Sequence, residues 1–529
     1  MKRVIIPTLL FFLSTTFMFA QFKMSEGSKK MATTMAIIEN LYVDNVDDEK
    51  LSEDAIKSLL GTLDPHSTYI SASEVREMNE PLEGNFDGIG ISFNMMTDTL
   101  YVIETIVGGP SEKAGLMAGD KILYVNDTLI AGVKRTNKDI MSRLRGPKGT
   151  SVTVKVLRRG SPELLPFKII RDKIPIYSID ATYMVDKSTG YIRISRFGAT
   201  TSKEFKDALK KLQNLGMKDL ILDLEGNGGG YMAPAIDLSD EFLDKGKMIV
   251  YTEGTHQPKR NEYSTAKGNF EKGKLVIMIN EGSASASEIL SGAVQDWDRG
   301  VIVGRRSFGK GLVQRQFPLP DESILRLTVA RYYTPVGRSI QKPYTSGDIN
   351  SYNMEFIERY NKGEMMHADS IHFPDSLKYT TLVNKRTVYG GGGIMPDYFV
   401  PLDTTNYTPY YRKTIGLVYR VVYNEANNHR KEILSKYPTS EDFYKHYVVP
   451  KEIEDKLIAT ATEEKIAYNE EEYQKSRELL LMQLKAYLAR DIYDVETSIR
   501  IYNDKSDIFR KAYEIIRDNK QYNSLLGYD

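Results

Sequence analysis

The sequence predicts a multidomain chain of mixed class, in which an α/β layered core is flanked by a β domain and by helical segments. Three observations carry this expectation. At 529 residues the chain is too long for one hydrophobic core and should hold three or four domains. Residues 84–172 hold short strand-like runs with turn signals. Beyond them two nearly continuous apolar runs, Asp219-Leu-Ile-Leu-Asp-Leu224 and Lys274-Leu-Val-Ile-Met-Ile279, alternate with helical patterns. From about residue 406 onward the pattern is helical.

Composition narrows the partners. Hydrophobic content of 41% and charged content of 27% suit a globular protein, and 71 Lys plus Arg balance 71 Asp plus Glu. No overall field then favours nucleic acid or an anionic membrane, and no nucleic-acid partner is expected. Lys2 and Arg3, the apolar run from Val4 to Phe19 and Ala20 read as a signal peptide over residues 1–20, with cleavage after Ala20 and a periplasmic destination. An uncleaved, membrane-associated form is the alternative, although the run is short for a span. Without cysteine there is no disulfide, thiolate chemistry or lipid attachment site.

Residues 21–83 read as an N-terminal helical segment, because Met31, Met35, Ile38 and Leu41, then Ala55, Ile56, Leu59 and Leu60, recur at helical spacing. It ends at Leu63-Asp-Pro-His66-Ser-Thr-Tyr, where Pro65 stops the helix and biases Asp64 toward an extended conformation. His66 is expected to cap nearby backbone there. The β domain, 84–172, should contain Gly88-Ile-Gly-Ile-Ser-Phe93, Leu100-Tyr-Val-Ile-Glu-Thr-Ile106, Asp120-Lys-Ile-Leu-Tyr-Val125 and Ser151-Val-Thr-Val-Lys-Val156 as strands, with helices at 110–115 and 136–143. Glycines in Gly88-Ile89-Gly90-Ile91 would let successive N–H groups converge on one anion while the following strand edge pairs with an incoming peptide.

The α/β core spans 173–405, with a strand at 190–194, a helix at 202–215 bearing Phe205, Leu209 and Leu212, the two apolar runs, and Val301-Ile-Val303. Strands this apolar need cover on both faces. A polar stretch at about 345–388 reads as a surface insertion. Residues 406–529 should form an all-helical domain, most clearly around Leu479, Leu480, Met482, Leu484, Tyr487 and Leu488.

The chemistry concentrates in Asn280-Glu-Gly-Ser-Ala-Ser285-Ala-Ser-Glu-Ile and in Ser307-Phe-Gly-Lys310-Gly-Leu-Val-Gln314, with Lys310 25 positions after Ser285. Ser285 stands where the 274–279 strand gives way to a helix carrying Ile289, Leu290, Ala293, Val294 and Trp297 on one face, and Glu288 follows at capping-box spacing. An N-cap serine stabilises a helix by ~1 kcal/mol. The same position offers free N–H groups and the positive end of the helix dipole to a developing oxyanion. A hydroxyl attacks a peptide carbonyl only if something takes its proton, and a lysine made acidic by burial can do so without histidine. Its ammonium must be drawn down from about 10.4 toward neutrality, at a cost of about 4 kcal/mol, which calls for an apolar pocket.

These segments, together with the Leu63 to Ser67 phrase, Gly88 to Ile91, Ala114-Gly-Leu-Met-Ala-Gly-Asp120 and Gly390-Gly-Gly-Gly-Ile-Met-Pro396-Asp397, resemble the C-terminal processing (tail-specific) peptidases from about Tyr42 to Pro401. Those are serine proteases with a Ser-Lys dyad and an inserted PDZ domain. The resemblance implies a crotonase/ClpP-like α/β layered protease core carrying a circularly permuted PDZ domain at 84–172. Among Ser283, Ser285 and Ser287 it selects Ser285 as nucleophile, with Lys310 as general base and Gln314 orienting the lysine. It implies oxyanion donors from Ala286 and from a glycine of Asn227-Gly228-Gly229-Gly230, with Gly228 and Gly229 the choices, and makes Gly88, Ile89, Gly90 and Ile91 the carboxylate-binding loop. Arg145 is a candidate for coupling the two sites. Asp296, where some members carry an acidic residue, is read as a structural salt bridge or cap. The family usually has Asp-Leu-Arg where this chain has Asp223-Leu-Glu225.

The implied reaction is peptide-bond hydrolysis near a substrate's C-terminus, on proteins or peptides with free apolar termini. An adaptor protein and a homo-oligomer are compatible with it. No cofactor or metal is expected: none of the six histidines lies in the nucleophile segment, and there is neither a Gly-x-Ser-x-Gly elbow nor a His-Glu-x-x-His motif. The alternative from a different class is a non-catalytic PDZ-containing peptide-binding scaffold on an inert protease fold. Such a relative should have lost Ser285, Lys310 or Gln314, and all three are present.

Overall fold

The computed structural model describes residues 24–96 and 98–528, so the signal-peptide reading at 1–20 lies outside the described residues. Among the described residues no helix is long and apolar enough to cross a membrane.

The N-terminal segment forms helices Glu26–Leu41 and Asp48–Gly61, a strand Thr68–Ile70 and a helix Ala72–Glu83. Its Asp-Pro turn is held by the Asp64 carboxylate, which accepts from the N–H groups of His66 and Ser67 at 2.9 Å and from the Ser67 and Thr328 hydroxyls. Thr328 belongs to the core strand Ile324–Tyr333, against which Thr68–Ile70 pairs antiparallel. An aspartate before proline thus anchors the segment to the core.

The β domain enters and leaves through one antiparallel pair, Asn85–Gly88 with Asp172–Pro175, as an inserted domain must if its ends are to meet. Its sheet runs in the order Ile91–Met96, Thr99–Thr105, Lys121–Val125, Ser151–Leu157, Leu165–Ile170. Alternate residues Val152, Val154 and Val156 turn inward, and Ile140 and Leu144 of helix Asn137–Leu144 close the core over them.

The α/β core is a six-stranded sheet in the order Ile179–Met184, Thr189–Ile194, Asp219–Asp223, Leu275–Ile279, Val301–Gly304, Tyr398–Phe399, parallel except for its first pair. Leu220, Leu222, Leu275, Ile277 and Ile279 meet helices Thr201–Asn214, Met232–Asp240 and Ala286–Asp296 on one face. On the other face Ile221, Val276, Met278, Val301 and Val303 meet Ile508, Phe509, Ala512, Ile515 and Ile516 of helix Asp507–Arg517, and Tyr522 of Asn519–Leu525. This corrects the single all-helical domain expected over 406–529. The last helices complete the core, because strands buried on both faces need a second cover and the chain supplies it from its far end. The helices from Pro409–Thr414 to Glu470–Ile492 keep a core of their own around Val418, Val422, Phe443, Leu480, Leu484 and Leu488. They also lean on the β domain: the Tyr101 and Tyr423 rings meet edge-on at 4.8 Å, and Arg159 donates to Asn428 at 2.8 Å.

A second, five-stranded sheet joins Thr68–Ile70, Met248–Gly254, Gln257–Tyr263, Leu312–Pro318 and Ile324–Tyr333. The 345–388 stretch is largely exposed, as expected of a surface insertion, but it also reaches into the core. Its helix Ile349–Asn361 buries Tyr352 and Arg359, and the Arg359 guanidinium donates to the carbonyls of Arg306 at 2.8 Å and Ser307 at 3.2 Å. It therefore braces the turn that leads to Lys310.

Candidate active site

Strand Leu275–Ile279 runs through a small-residue loop into helix Ala286–Asp296, and Ser285 is the residue at the junction. Its φ of 55° and ψ of −110° form a strained conformation for a residue with a Cβ, costing about 1–3 kcal/mol. The motif of a Gly-flanked elbow is absent, yet a similarly sharp strand-to-helix turn has been built. The structure also separates the three serines. The Ser283 hydroxyl donates to the Leu224 carbonyl at 2.7 Å and that of Ser287 to the Asn227 carbonyl at 2.9 Å, both fully buried. Ser285 is the one that lines a cleft, of about 560 Å3, together with Lys310, Gln314, Gly228, Gly229 and Ala286.

Lys310 Nζ donates to Gln314 Oε1 at 3.2 Å, and Gln314 Nε2 donates in turn to the His66 carbonyl. Burial lowers the Lys310 ammonium below its usual range, the Arg326 charge lowers it further, and Glu288 and Asp64 oppose them. His66 differs from the backbone cap expected for it. Its main chain holds Gln314 in place, while its ring Nε2 lies 2.8 Å from the Tyr352 hydroxyl. Burial, with Lys310 nearby, depresses the imidazole to about 4, so it is neutral at physiological pH.

Glu288 is the functional residue that reading the sequence missed. Its spacing signalled a local cap, and its Oε2 does accept from the Ser285 N–H at 2.8 Å. The same fully buried carboxylate also accepts from the Lys310 N–H at 2.9 Å, the Gly309 N–H at 2.7 Å and the Ser307 hydroxyl at 2.5 Å. One side chain therefore fixes the backbones of the nucleophile turn and the lysine turn together. Burial pushes its carboxyl up, against the hydroxyl and N–H groups that favour the anion. Tyr332 adds a second tie, with its hydroxyl in reach of the Ser285 carbonyl at 3.1 Å and of the Lys310 carbonyl.

The glycine turn after Asp219–Asp223 packs directly on this junction. A Cβ on Gly229, whose φ is 97°, would meet Ser285 Cβ and the Ala284 carbonyl at 2.8 Å and the Ala286 nitrogen at 3.0 Å. The Gly229 N–H, however, is taken by Asn227 Oδ1 at 2.9 Å. That corrects Gly229 as an oxyanion donor. The N–H groups of Gly228 and Ala286 have no partner among the described residues and belong to residues lining the cleft. Gly229→Ala is expected to lower kcat by at least about 100-fold, the scale of losing oxyanion stabilisation, with KM little changed in steady-state peptide assays. Glu225, at the position of the family's arginine, has its carboxyl pushed up by burial and by the nearby Asp223 carboxylate. Asp296 lies far from this chemistry in role: it forms a fully buried ion pair with Arg338 and accepts from the Val336 N–H at 3.0 Å.

In the β domain, Ile89, Gly90 and Ile91 line a cleft of about 380 Å3 with Phe93, Met141 and Arg145. Gly88 does not line it, contrary to expectation; it ends the preceding strand, where a Cβ would meet the Phe86 ring at 2.9 Å. Arg145 stacks over Phe86 at 4.7 Å and donates to the buried Glu80 at 2.6 Å, on the same helix, Ala72–Glu83, whose Leu82 lines the Ser285 cleft.

Comparison with known proteins identifies the class to which this architecture belongs. Residues 188–351 match peptidase family S41, 88–169 a PDZ domain, 16–74 the activating protease CtpB N-terminal domain, and 410–494 a family of unknown function, DUF8443. The chain is 39% identical over 317 residues to the carboxy-terminal-processing protease of Bartonella bacilliformis, covering 59% of this chain and 72% of the relative. It is 35% identical to the carboxy-terminal processing protease CtpB of Bacillus subtilis, covering 59% of this chain and 65% of the relative. Among solved structures, the photosystem II D1 C-terminal processing protease matches at 27% identity and a TM-score of 0.35, over 60% of this chain and 91% of that chain. The chain belongs to the carboxy-terminal processing proteases of peptidase family S41.

Proposed function

We propose that this protein is a periplasmic endopeptidase that cuts protein substrates near their C-termini, with Ser285 as nucleophile and Lys310 as its base. The observation that carries the reading is one cleft holding a strained, open serine and a lysine whose burial favours the neutral amine, with Glu288 tying the two turns together. Ser285 Oγ attacks the scissile carbonyl carbon as Lys310 Nζ takes its proton. The oxyanion receives N–H groups from Ala286 and Gly228. Lys310 then returns the proton to the leaving amine; Lys310 Nζ next deprotonates a water that attacks the acyl carbon, and it passes that proton to Ser285 Oγ as the ester bond breaks and the acid is released. Gln314, held by the His66 carbonyl, aims the amine.

The β-domain cleft suits capture of a terminal carboxylate on the Ile89-Gly90-Ile91 backbone, with apolar terminal side chains against Phe93 and Met141. The Arg145–Glu80 pair is a physical link between the two clefts. The apolar run at 4–19 and the absence of cysteine support export.

The test compares cleavage of an apolar-ended peptide, with a free or an amidated terminus, by wild type, Ser285→Ala and Lys310→Ala. Efficient wild-type cleavage of the free form only, lost in both variants, supports the reading. Cleavage indifferent to the terminus would refute tail capture, and binding without cleavage by wild type would leave a scaffold.

A further inference from the structure

The Ser285 cleft is lined by two basic side chains, Lys310 and Arg326, and by no acidic one. Arg326, on strand Ile324–Tyr333, is registered directly opposite Gln316 of Leu312–Pro318, and Gln314 lies opposite Thr328. Residues two apart on a strand share a face, so Gln314, Gln316 and Arg326 stand in a row beside Lys310 along the cleft. No carboxylate meets the Arg326 guanidinium among the described residues; its hydrogen-bond contact is from Nη2 to Met78 Sδ at 2.9 Å. Four arginines of the same core, Arg193, Arg305, Arg306 and Arg338, are paired with Asp223, Glu281, Glu364 and Asp296, and Arg299 is met by backbone carbonyls; what sets Arg326 apart is that its guanidinium, unpaired among the described residues, lines the Ser285 cleft. A guanidinium partly withdrawn from water is unfavourable without an anion, and its planar fork matches a carboxylate.

Resting on the reading that this cleft cleaves peptides, we infer that Arg326 is a specificity-determining residue that receives a carboxylate of the bound substrate. The carboxylate comes either from a Glu or Asp side chain near the scissile bond or from the α-carboxylate of a short C-terminal remnant. Both satisfy the same geometry. The preference is therefore distinct from capture of the tail in the β domain.

The test uses internally quenched peptides that keep a free apolar terminus and are otherwise neutral apart from one Glu moved through positions around the scissile bond, each paired with its Gln counterpart, and one neutral peptide compared with its free and its amidated terminus. The quantity read is the ratio of kcat/KM within each pair, which cancels any change in Lys310. Wild type is expected to favour one carboxylate-bearing peptide by about 10- to 100-fold, the range of a hydrogen-bonded charge pair. Arg326→Gln should bring a Glu-to-Gln ratio close to one, or lower the free-to-amidated ratio by the same factor and leave the part due to tail capture in the β domain; Arg326→Lys should retain part of the difference. Loss through a Glu pair assigns a side chain, and loss through the free-terminus pair assigns the α-carboxylate; either result supports the inference. A ratio unaltered in Arg326→Gln, or no preference at any position in wild type, overturns it. The same pairs measured as affinities in Ser285→Ala keep Arg326 testable if turnover is absent, whereas wild-type turnover reports on the proposed function alone.

Discussion

Replacing Lys310 with methionine is expected to lower kcat/KM by about 100- to 10,000-fold, the contribution of a positioned general base. Methionine keeps the length and the apolar surroundings, so the loss isolates the amine. Lys310→Arg should fare no better, because a guanidinium keeps the charge but cannot give up its proton. The pH profile supplies the sign. The neutral amine is the active form, so kcat/KM rises with pH through the Lys310 pKa, and burial together with Arg326 places that rise below the ordinary 10.5. Removing the Arg326 charge should move the rising limb toward alkaline pH. A profile flat across that region, or an arginine variant with full activity, would contradict the assignment.

The second large effect falls on a residue with no part in bond making. Glu288→Ala is expected to lower kcat by more than about 100-fold and to destabilise the protein by about 2–4 kcal/mol, since the Ser285, Gly309 and Lys310 N–H groups and the Ser307 hydroxyl all lose their acceptor inside the core. The two effects separate by measurement: urea unfolding reads the stability, and single-turnover acylation reads the alignment of the turns. A Glu288→Ala enzyme that is less stable but acylates at the wild-type rate would reduce Glu288 to a helix cap. Glu288→Gln, which keeps one acceptor oxygen, should fall between.

Much of this arrangement was legible in the sequence wherever the signal is local. Two nearly continuous apolar runs implied strands covered on both faces, and Asp219–Asp223 and Leu275–Ile279 are central strands of the core sheet. The resemblance to the C-terminal processing peptidases points to Ser285, Lys310 and Gln314, and the three do line one cleft. What escaped depends on contacts between distant segments. Glu288 has the spacing of an ordinary cap, and nothing near it in sequence reveals that it also holds Gly309 and Lys310. The helix Asp507–Arg517 has a clear apolar stripe, but a stripe does not say which core it covers, so the sequence alone groups it with its neighbours rather than with the core sheet. The glycine turn was rightly placed beside the nucleophile, yet which N–H stays open depended on the Asn227 side chain. Arg326 carries no motif at all, because its interest lies in the absence of a carboxylate partner among the described residues.

The most direct test of the account follows the titration of the Lys310 amine itself, by NMR of isotope-labelled lysine side chains in Ser285→Ala, with the resonance assigned by its loss in the Lys310→Met form. The account predicts a Lys310 pKa clearly below the ~10.4 of unperturbed lysines and close to the midpoint of the wild-type kcat/KM limb. A Lys310 that titrates with the surface lysines while wild type cleaves peptides at neutral pH would contradict it.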